Sequence, residues 1–513
     1  MFPDCLDDYV EQENPVRVID AYISSLHLKE LGFIKAEPNK TGRPMYEPKD
    51  LLKLYVYGYM NRVRSSRRLE LETKRNLEVI WLMNKLSPDH KTIARFRHDN
   101  APALKNVFRD FVKLCINLGL YGKELISIDG SKFKAVNSKD RNFTEEKLKD
   151  RIDRINARIE EYLHQIDETD DCEDSKAGDK SAEEIQKIIT ELEGRKAEYQ
   201  SYRDEMKESG DTQKSLTDSD SRRMTANGKA DIYYNIQTAV DAKNKLIVDF
   251  KVTNDPFDIN QLAKMAVISS QTLEEKNIAV VADTGYNSAS DIAKCLIDGI
   301  TPHVAGTDYD ICLPTEDLQN EEPITHSNGR AVYLPERNVA LCPMGKVLYP
   351  SGYRNRDRKA LFTNYKACGS CTCKCTITKY KRFEIRMDKS DFTKIYNDEN
   401  LLARQIHVKP DMNIVHQRKC LSEHPFGTIK RTMNMEYLLM KGMDNVAGEF
   451  SLSSLAYNMI RVINIVGATR LIEAVQALKQ GALLFFSPFA VSGGNKRFSI
   501  LISATAYAFY GDD

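Results

Sequence analysis

The sequence predicts an α/β protein with a mixed sheet, preceded by helices and interrupted by two insertions. Three observations lead there. Residues 45–120 carry apolar side chains at helical spacing. Two strand-like runs, DIYYNIQTAVDA and KLIVDFKVTN, are then followed by an amphipathic helix and a short apolar strand, the order expected of a mixed sheet. A heptad-spaced segment precedes the strand runs and a cysteine-rich one follows the short apolar strand. At 513 residues the chain exceeds what one hydrophobic core normally covers, so at least two folded units plus insertions are expected.

Composition narrows the class. Apolar content of 42% and charged content of 29% are those of a soluble protein, and no charged and apolar leader opens the chain, so the cytoplasm is the expected home. The most apolar stretch, 481–510, is broken by Pro488, Gly493, Gly494, Asn495, Lys496 and Arg497, and reads as a packed tail with no membrane span. The net charge of zero conceals two basic regions. Lys53 to Asp140 holds 18 Lys+Arg against 9 Asp+Glu, and Cys342 to Arg431 holds 19 against 8. From Glu145 to Arg223 the balance reverses to 15 against 24. Local charge sets phosphate affinity, so a nucleic-acid partner stays open.

The N-terminal runs PKDLLKLYVYGYMNRV, SSRRLELETKRNLEVIWLMNKL and SPDHKTIARFRHDNAPALKNVFRDFVKLC predict a helical unit. Ser87 or Asp89 can cap a short helix carrying Lys91, Thr92, Arg95 and Arg97. That helix suits a major groove, and it equally suits a solvated basic face.

LISIDGSKFKA, from Leu125 to Ala135, predicts a buried strand with Asp129 in its middle. An ionised carboxylate there is costly unless something positive shares the site, and a metal ion is the usual remedy. The segment after it has its own period. Leu148, Ile152, Ile155, Ile159, Tyr162 and Ile166 are spaced 4-3-4-3-4, and Ile185, Ile188, Leu192, Tyr199, Tyr202 and Met206 continue the heptad with Arg195 in one slot. An antiparallel coiled-coil hairpin is expected, joined by DETDDCEDSKAGDK. It can serve as a dimer contact, a DNA arm or a stabilised insertion; its acidity favours a protein–protein role. The two strand runs then form a hairpin through Lys243 and Asn244, DINQLAKMAVISSQTLEE forms a helix, and NIAVVAD ends at Asp283. Side-by-side strands would let Asp129 and Asp283, 154 positions apart, share a metal.

Around Cys342, Cys368, Cys371, Cys373 and Cys375 a tetrahedral zinc site is expected, with Cys342, Cys368, Cys371 and Cys375 as one ligand set and Cys373 an equal competitor. Free thiols or a redox pair are the alternatives. Such a zinc would be structural, because four thiolates leave no open position. The third acid is Glu423, in SEHPFGTIKR. Helical spacing puts Lys430 on nearly its face and Lys419 close by, but Pro425 suggests a helix starting near Ser422 that leaves Lys419 outside.

IDGSKFKAVNS, ADTGY and EHPFGTIKR resemble the three catalytic blocks of bacterial insertion-sequence transposases of the DDE type, and PDHKTIARFR resembles that family's helical region. The resemblance runs from about residue 40 to 470 and points to the subgroup numbered eleven-eighty-two. It implies a ribonuclease-H-like core and a two-metal site of Asp129, Asp283 and Glu423 holding Mg²⁺ or Mn²⁺. It also implies cleavage and strand transfer on double-stranded DNA. His416 and Lys419 stand where the wider family has tyrosine and arginine, so Arg418 is a substitute for the second. Lys430, Lys419, Arg418, Arg95 and Arg97 become the expected phosphate contacts. The implied organisation is a DNA-binding unit (1–122), a catalytic core (123–306 and 401–480), the coiled-coil hairpin (144–210), the cysteine-rich insertion (307–400) and a tail (481–513). A homodimer on DNA, in the cytoplasm and with the nucleoid, is expected. A nuclease that cuts without joining and an inactive DNA-binding derivative are the rival functions.

Overall fold

The computed structural model describes residues 5–34, 46–137, 141–170, 182–210, 213–226, 228–307, 309–312, 332–334, 338–343, 346–369, 371, 375–376, 378–396, 405–479, 483–488 and 498–503. Cys373, most of the link between the two coil helices and most of the tail lie outside them.

Among the described residues a 3-10 turn, Leu6–Tyr9, is followed by α1 (Pro15–Ser25), α2 (Pro48–Met60), α3 (Ser66–Arg75), α4 (Leu77–Leu82), α5 (His90–Asp99) and α6 (Ala101–Asn117). Their ends follow local chemistry. Asn14 accepts the Val16 N–H and Pro15 opens α1, while Asp89, not Ser87, caps α5 by accepting from Lys91 and Thr92 at 2.9 and 3.0 Å. Helix α2 is buried almost all round, with Leu52, Leu54, Tyr55 and Val56 inaccessible, so it is an interior helix.

The central sheet comprises β1 (Leu125–Lys134), β4 (Arg222–Ala226), β5 (Lys229–Asp241), β6 (Ile247–Thr253), β7 (Ala279–Ala282) and β8 (Thr301–Val304). Its order is β4-β5-β1-β7-β8, with β6 also alongside β5. The strands β1, β5 and β6 form an antiparallel set, whereas β7 and β8 join parallel to β1. Parallel neighbours need crossovers, supplied here by α9 (Leu262–Leu273) and α10 (Ala289–Ile297). Leu262, rather than Asp258, begins α9, because Asp258 and its neighbours form a turn ahead of it.

Both insertions stand on short two-stranded ladders. Strands β2 (Asn142–Thr144) and β3 (Gln213–Ser215) pair antiparallel and carry α7 (Glu145–Asp170) and α8 (Ala182–Ser209). Arg151 near the start of α7 meets Tyr199 late in α8, so the helices run antiparallel. Ile152, Ile155, Ile185, Ile189 and Leu192 are buried along them, with Ile189 rather than Ile188 turned inward. The second insertion rests on β9 (Tyr309–Cys312) paired with β15 (Gln405–Val408). It holds an antiparallel sheet of β10 (Val332–Leu334), β11 (Val339–Leu341), β12 (Val347–Arg354), β13 (Lys359–Thr363) and β14 (Arg382–Arg386). The short helices α11 (Tyr365–Gly369) and α12 (Lys389–Tyr396) complete it.

The chain returns through α13 (Met412–Gly427), α14 (Met443–Val466) and α15 (Ala468–Lys479), before a hairpin of β16 (Leu483–Pro488) and β17 (Phe498–Ser503). Helix α14 packs on α2, α6 and β6 and ties the N-terminal helices to the sheet. Asn458 on α14 both accepts from the Ile247 N–H and donates to the Ile247 carbonyl, each at 2.9 Å, as a neighbouring strand would. One apolar cluster consequently runs from Val10 to Ala477, through both the N-terminal helices and the sheet. Among the described residues no helix is long and apolar enough to cross a membrane.

Candidate active site

The register of β1 and β7 builds the site. Ser127 pairs with Val281, so Asp129, midway along β1, and Asp283, just past the end of β7, stand side by side two residues beyond the last parallel pair. Asp283 turns into a 3-10 segment, Thr284–Tyr286, and accepts the Gly285 N–H at 2.8 Å. Asp129 accepts the Gly130 N–H at 2.9 Å. Burial pushes the Asp129 carboxyl up to about 6, and the Asp283 charge pushes the same way, against the Ser422 hydroxyl and the Arg418 guanidinium. The donors are oxygens and their charges repel, a set that suits a hard divalent cation.

Helix α13 covers this end of the sheet. Ser422, fully buried beside Asp129, donates its hydroxyl to the Arg418 carbonyl at 3.2 Å, and the Arg418 guanidinium lies 3.6 Å from Asp129 Oδ2. The helix starts at Met412, capped by Asp411, ten residues before the start that Pro425 suggested. Lys419 is therefore inside it, and exposed. Pro425 lies inside the helix near its end, and a π segment follows over Thr428–Thr432. Glu423, next to Ser422, is exposed. Among the described residues no three His, Cys, Asp or Glu side chains stand as a ready metal-holding group, so Glu423 is not gathered with the two aspartates here.

Lys430 approaches from the π segment. Its Nζ donates to Ser131 Oγ at 2.7 Å and to the Lys132 carbonyl at 2.8 Å, over the Phe133 ring. Burial lowers its pKa, while Glu436 and Asp129 oppose that. Arg95 is exposed and pairs with Asp99 at 3.3 Å. Arg97 departs from expectation. It is buried at 6% exposure, donates to Tyr59 Oη at 3.1 Å and lies over the Tyr55 ring, so its place is in the core and not against phosphate.

One group beside Asp129 carries no signal in the sequence, Ser422, a serine within a helix. In the second insertion, Cys342, Cys368, Cys371 and Cys375 line one cavity of about 20 Å³. The Lys346 N–H donates to Cys342 Sγ and the Lys381 N–H to Cys368 Sγ, both at 3.2 Å.

Two family models match the chain: one described as "Transposase domain (DUF772)" over residues 4–99, and one described as "Transposase DDE domain" over residues 341–463. The matches support a DDE transposase. The transposase DDE match takes in α13, with Arg418, Ser422, Glu423 and Lys430, and also the four cysteines. Among solved structures, the chain is similar to one titled "Cryo-EM structure of piggyBac transposase synaptic complex with hairpin DNA (SNHP)". That likeness has 10% identity and a TM-score of 0.29 over 91% of this chain and 80% of that one, too loose to bear on fold or partner. No curated protein matches.

Proposed function

We propose that the chain is a DDE transposase of the subgroup numbered eleven-eighty-two, with a ribonuclease-H-like core. In this reading it binds the terminal inverted repeats of an insertion sequence, cleaves the strand at each end and joins the freed 3′-hydroxyl to target DNA. The observation that carries it is the placing of Asp129 and Asp283 side by side, two residues beyond the last parallel pair of β1 and β7. The order β6-β5-β1-β7-β8 around them suits that core.

Asp129, Asp283 and Glu423 are the proposed ligands of two Mg²⁺ or Mn²⁺ ions, which when bound would activate the attacking oxygen and stabilise the leaving one. Arg418 offsets the charge of Asp129 before a cation arrives, and its guanidinium can turn to a phosphate afterwards. Ser422, bonded to the Arg418 carbonyl, packs beside the Asp129 carboxylate and favours its ionised form. Lys430, held against Ser131 and Lys132, places a positive charge two to three residues along β1 from Asp129, where a flanking phosphate would lie. Glu423, exposed and about 100° round α13 from the buried Ser422, completes the set only if α13 turns toward the aspartates when metal and DNA bind. Lys419 and Arg95, both exposed, are further proposed phosphate contacts. A structural zinc on Cys342, Cys368, Cys371 and Cys375 belongs to the same proposal, supported by their shared cavity and the two N–H donors aimed at sulfur.

The test is cleavage and joining on DNA bearing the element's ends, with Mg²⁺. Glu423→Gln keeps size but loses charge, so cleavage is expected to fall by orders of magnitude while binding of the ends, carried by phosphate contacts, barely changes. Cleavage by Glu423→Gln at the wild-type rate would remove Glu423 from the site. Cleavage without joining by the unaltered chain would leave a nuclease.

A further inference from the structure

The cysteine-rich insertion carries a basic face that neither the site nor the cysteines use. Arg354, Lys359 and Arg386 are cross-strand partners in one row over β12, β13 and β14. Side chains alternate along a strand, so Glu384 and Arg382, two and four residues before Arg386 on β14, share their face. The other face, with Ala360, Phe362 and Ile385, packs against Phe392 of α12. The cations cover roughly 10 Å across the strands and about 14 Å along β14. Beyond the row, the turn from β12 to β13 adds exposed Arg356 and Arg358. At the far end Arg382 Nη2 lies 3.5 Å from Tyr380 Oη, and the Tyr380 ring meets that of the exposed Tyr365 at 4.3 Å.

Like charges directly opposite one another destabilise a sheet, so this row carries a cost that folding alone does not explain. Glu384 offsets part of it. The carboxylate accepts from Arg354 at 2.6 Å and from Lys359 at 3.2 Å, and Asp357 accepts from Arg354 at 3.2 Å. Arg382 and Arg386 are exposed, and among the described residues neither is paired with a carboxylate. Charge on an edge strand wards off pairing with another sheet, but charge on β14 alone would meet that need. Here the row runs inward onto β13, which has a strand on each side.

We propose that this face binds the phosphate backbone of double-stranded DNA, with Arg382 and Arg386 as direct contacts and Glu384 holding Arg354 and Lys359 beside them. The inference rests on the reading of the chain as a transposase, and adds a DNA surface outside its N-terminal helices and its site. A guanidinium offers a planar fork that matches two phosphate oxygens, and a duplex presents one negative charge per about 1.7 Å of its axis. The acidic α7–α8 hairpin of a second copy is the rival occupant. Its 24 acids between Glu145 and Arg223 are interleaved with 15 bases, which leaves a far sparser charge than that of a duplex. Phosphate contacts carry no base sequence, so binding at this face is indifferent to it.

Duplex binding by the full chain, with divalent ions chelated so that no strand is cut, tests this. Arg382→Gln with Arg386→Gln removes both direct contacts. The slope of log affinity against log salt should shrink by about 2, and affinity at low salt should fall about tenfold or more, equally on DNA bearing the ends and on unrelated DNA of the same length. The melting temperature should hold or rise, because like charges are relieved. Lys187→Gln with Arg195→Gln removes the same charge from the hairpin and should leave the slope unchanged. An unchanged slope in the first pair, or an equal loss in both pairs, would overturn the proposal. Unchanged DNA binding with loss of self-association would also overturn it, by giving the face to a second copy. No affinity of the unaltered chain for either duplex would bring down the proposed function with it. Should the first pair fail to fold, phenylglyoxal labelling of the unaltered chain decides. DNA should shield Arg382 and Arg386, and equal labelling with and without DNA would overturn the assignment.

Discussion

A carboxyl group ordinarily near 3.8 and lifted by burial to about 6, as at Asp129, keeps its proton in the folded chain over a range where the unfolded chain has released it. The folded state therefore binds more protons between about pH 4 and 6, and its stability falls as pH rises through that window. Above it the ionised carboxylate remains a standing cost, about 3 kcal/mol for a shift of this size. Asp129→Asn carries no charge at any pH. With divalent ions chelated, it should melt above the wild type at pH 8 and close to it at pH 4, measured as paired melting curves. An equal difference at both pH values would mean that the cost lies in packing rather than charge. Mg²⁺ should narrow the gap at pH 8 by stabilising the wild type, since a ligand that binds only the folded state raises its apparent stability. Residues of this kind were legible in the sequence because an acid inside an apolar run is conspicuous. Ser422 was not, because serine in a helix is satisfied locally in most proteins, and only the packing of α13 on the sheet brings it beside Asp129.

Among the elements, α14 depends most on close approach. Gly448 lies against α6 so tightly that an added Cβ would stand 2.7 Å from both the Cα and the Cβ of Ala101, with backbone on the opposing side unable to yield. Gly448→Ala gains helix propensity but must push the helices apart, so a net loss of about 1–3 kcal/mol is expected, read as a lowered melting temperature. An unchanged or raised value would show that the crossing can open. The cysteine-rich insertion depends on something else. Its apolar clusters, around Phe362 and Phe392 and around Tyr349, are small and separate from the main one, and small cores of this kind usually need a staple. Zinc on the four cysteines would supply it. Metal analysis of protein purified under reducing conditions should find one zinc per chain, and Cys368→Ser should release it and lower the melting temperature. Absence of zinc would leave four free thiols. Helix and strand periods read most of these elements correctly, whereas the start of α13 was misplaced. Proline is at ease in a first turn, which put the expected start near Ser422, but Pro425 lies near the end of α13 and the helix runs on past it into a π segment.

At the scale of the molecule, the charge division seen in the sequence takes spatial form. The basic N-terminal helices share one core with the sheet, and the acidic segment is carried outward as the α7–α8 hairpin on the β2–β3 ladder. That hairpin has its own small cluster at the base, Phe143, Leu148 and Met206 with Tyr199 and Tyr202, outside the main core. It can therefore be removed without exposing the interior. Both ends of a transposing element have to be held together while they are cut, and a long exposed helix pair of acidic charge is poorly suited to touch DNA but well suited to touch another copy of the chain. Thr144 and Gln213 are cross-strand partners, so replacing 145–212 by Asn-Gly closes the ladder with a two-residue turn that fits its twist. The shortened chain should retain the melting temperature of the main core and still bind a single end. In sedimentation with DNA it should no longer bring two ends into one complex, and joining should fall with it. Pairing of two ends as efficient as in the full chain would assign the contact to another surface. Loss of single-end binding would show instead that the hairpin reaches DNA, against the repulsion that its charge implies.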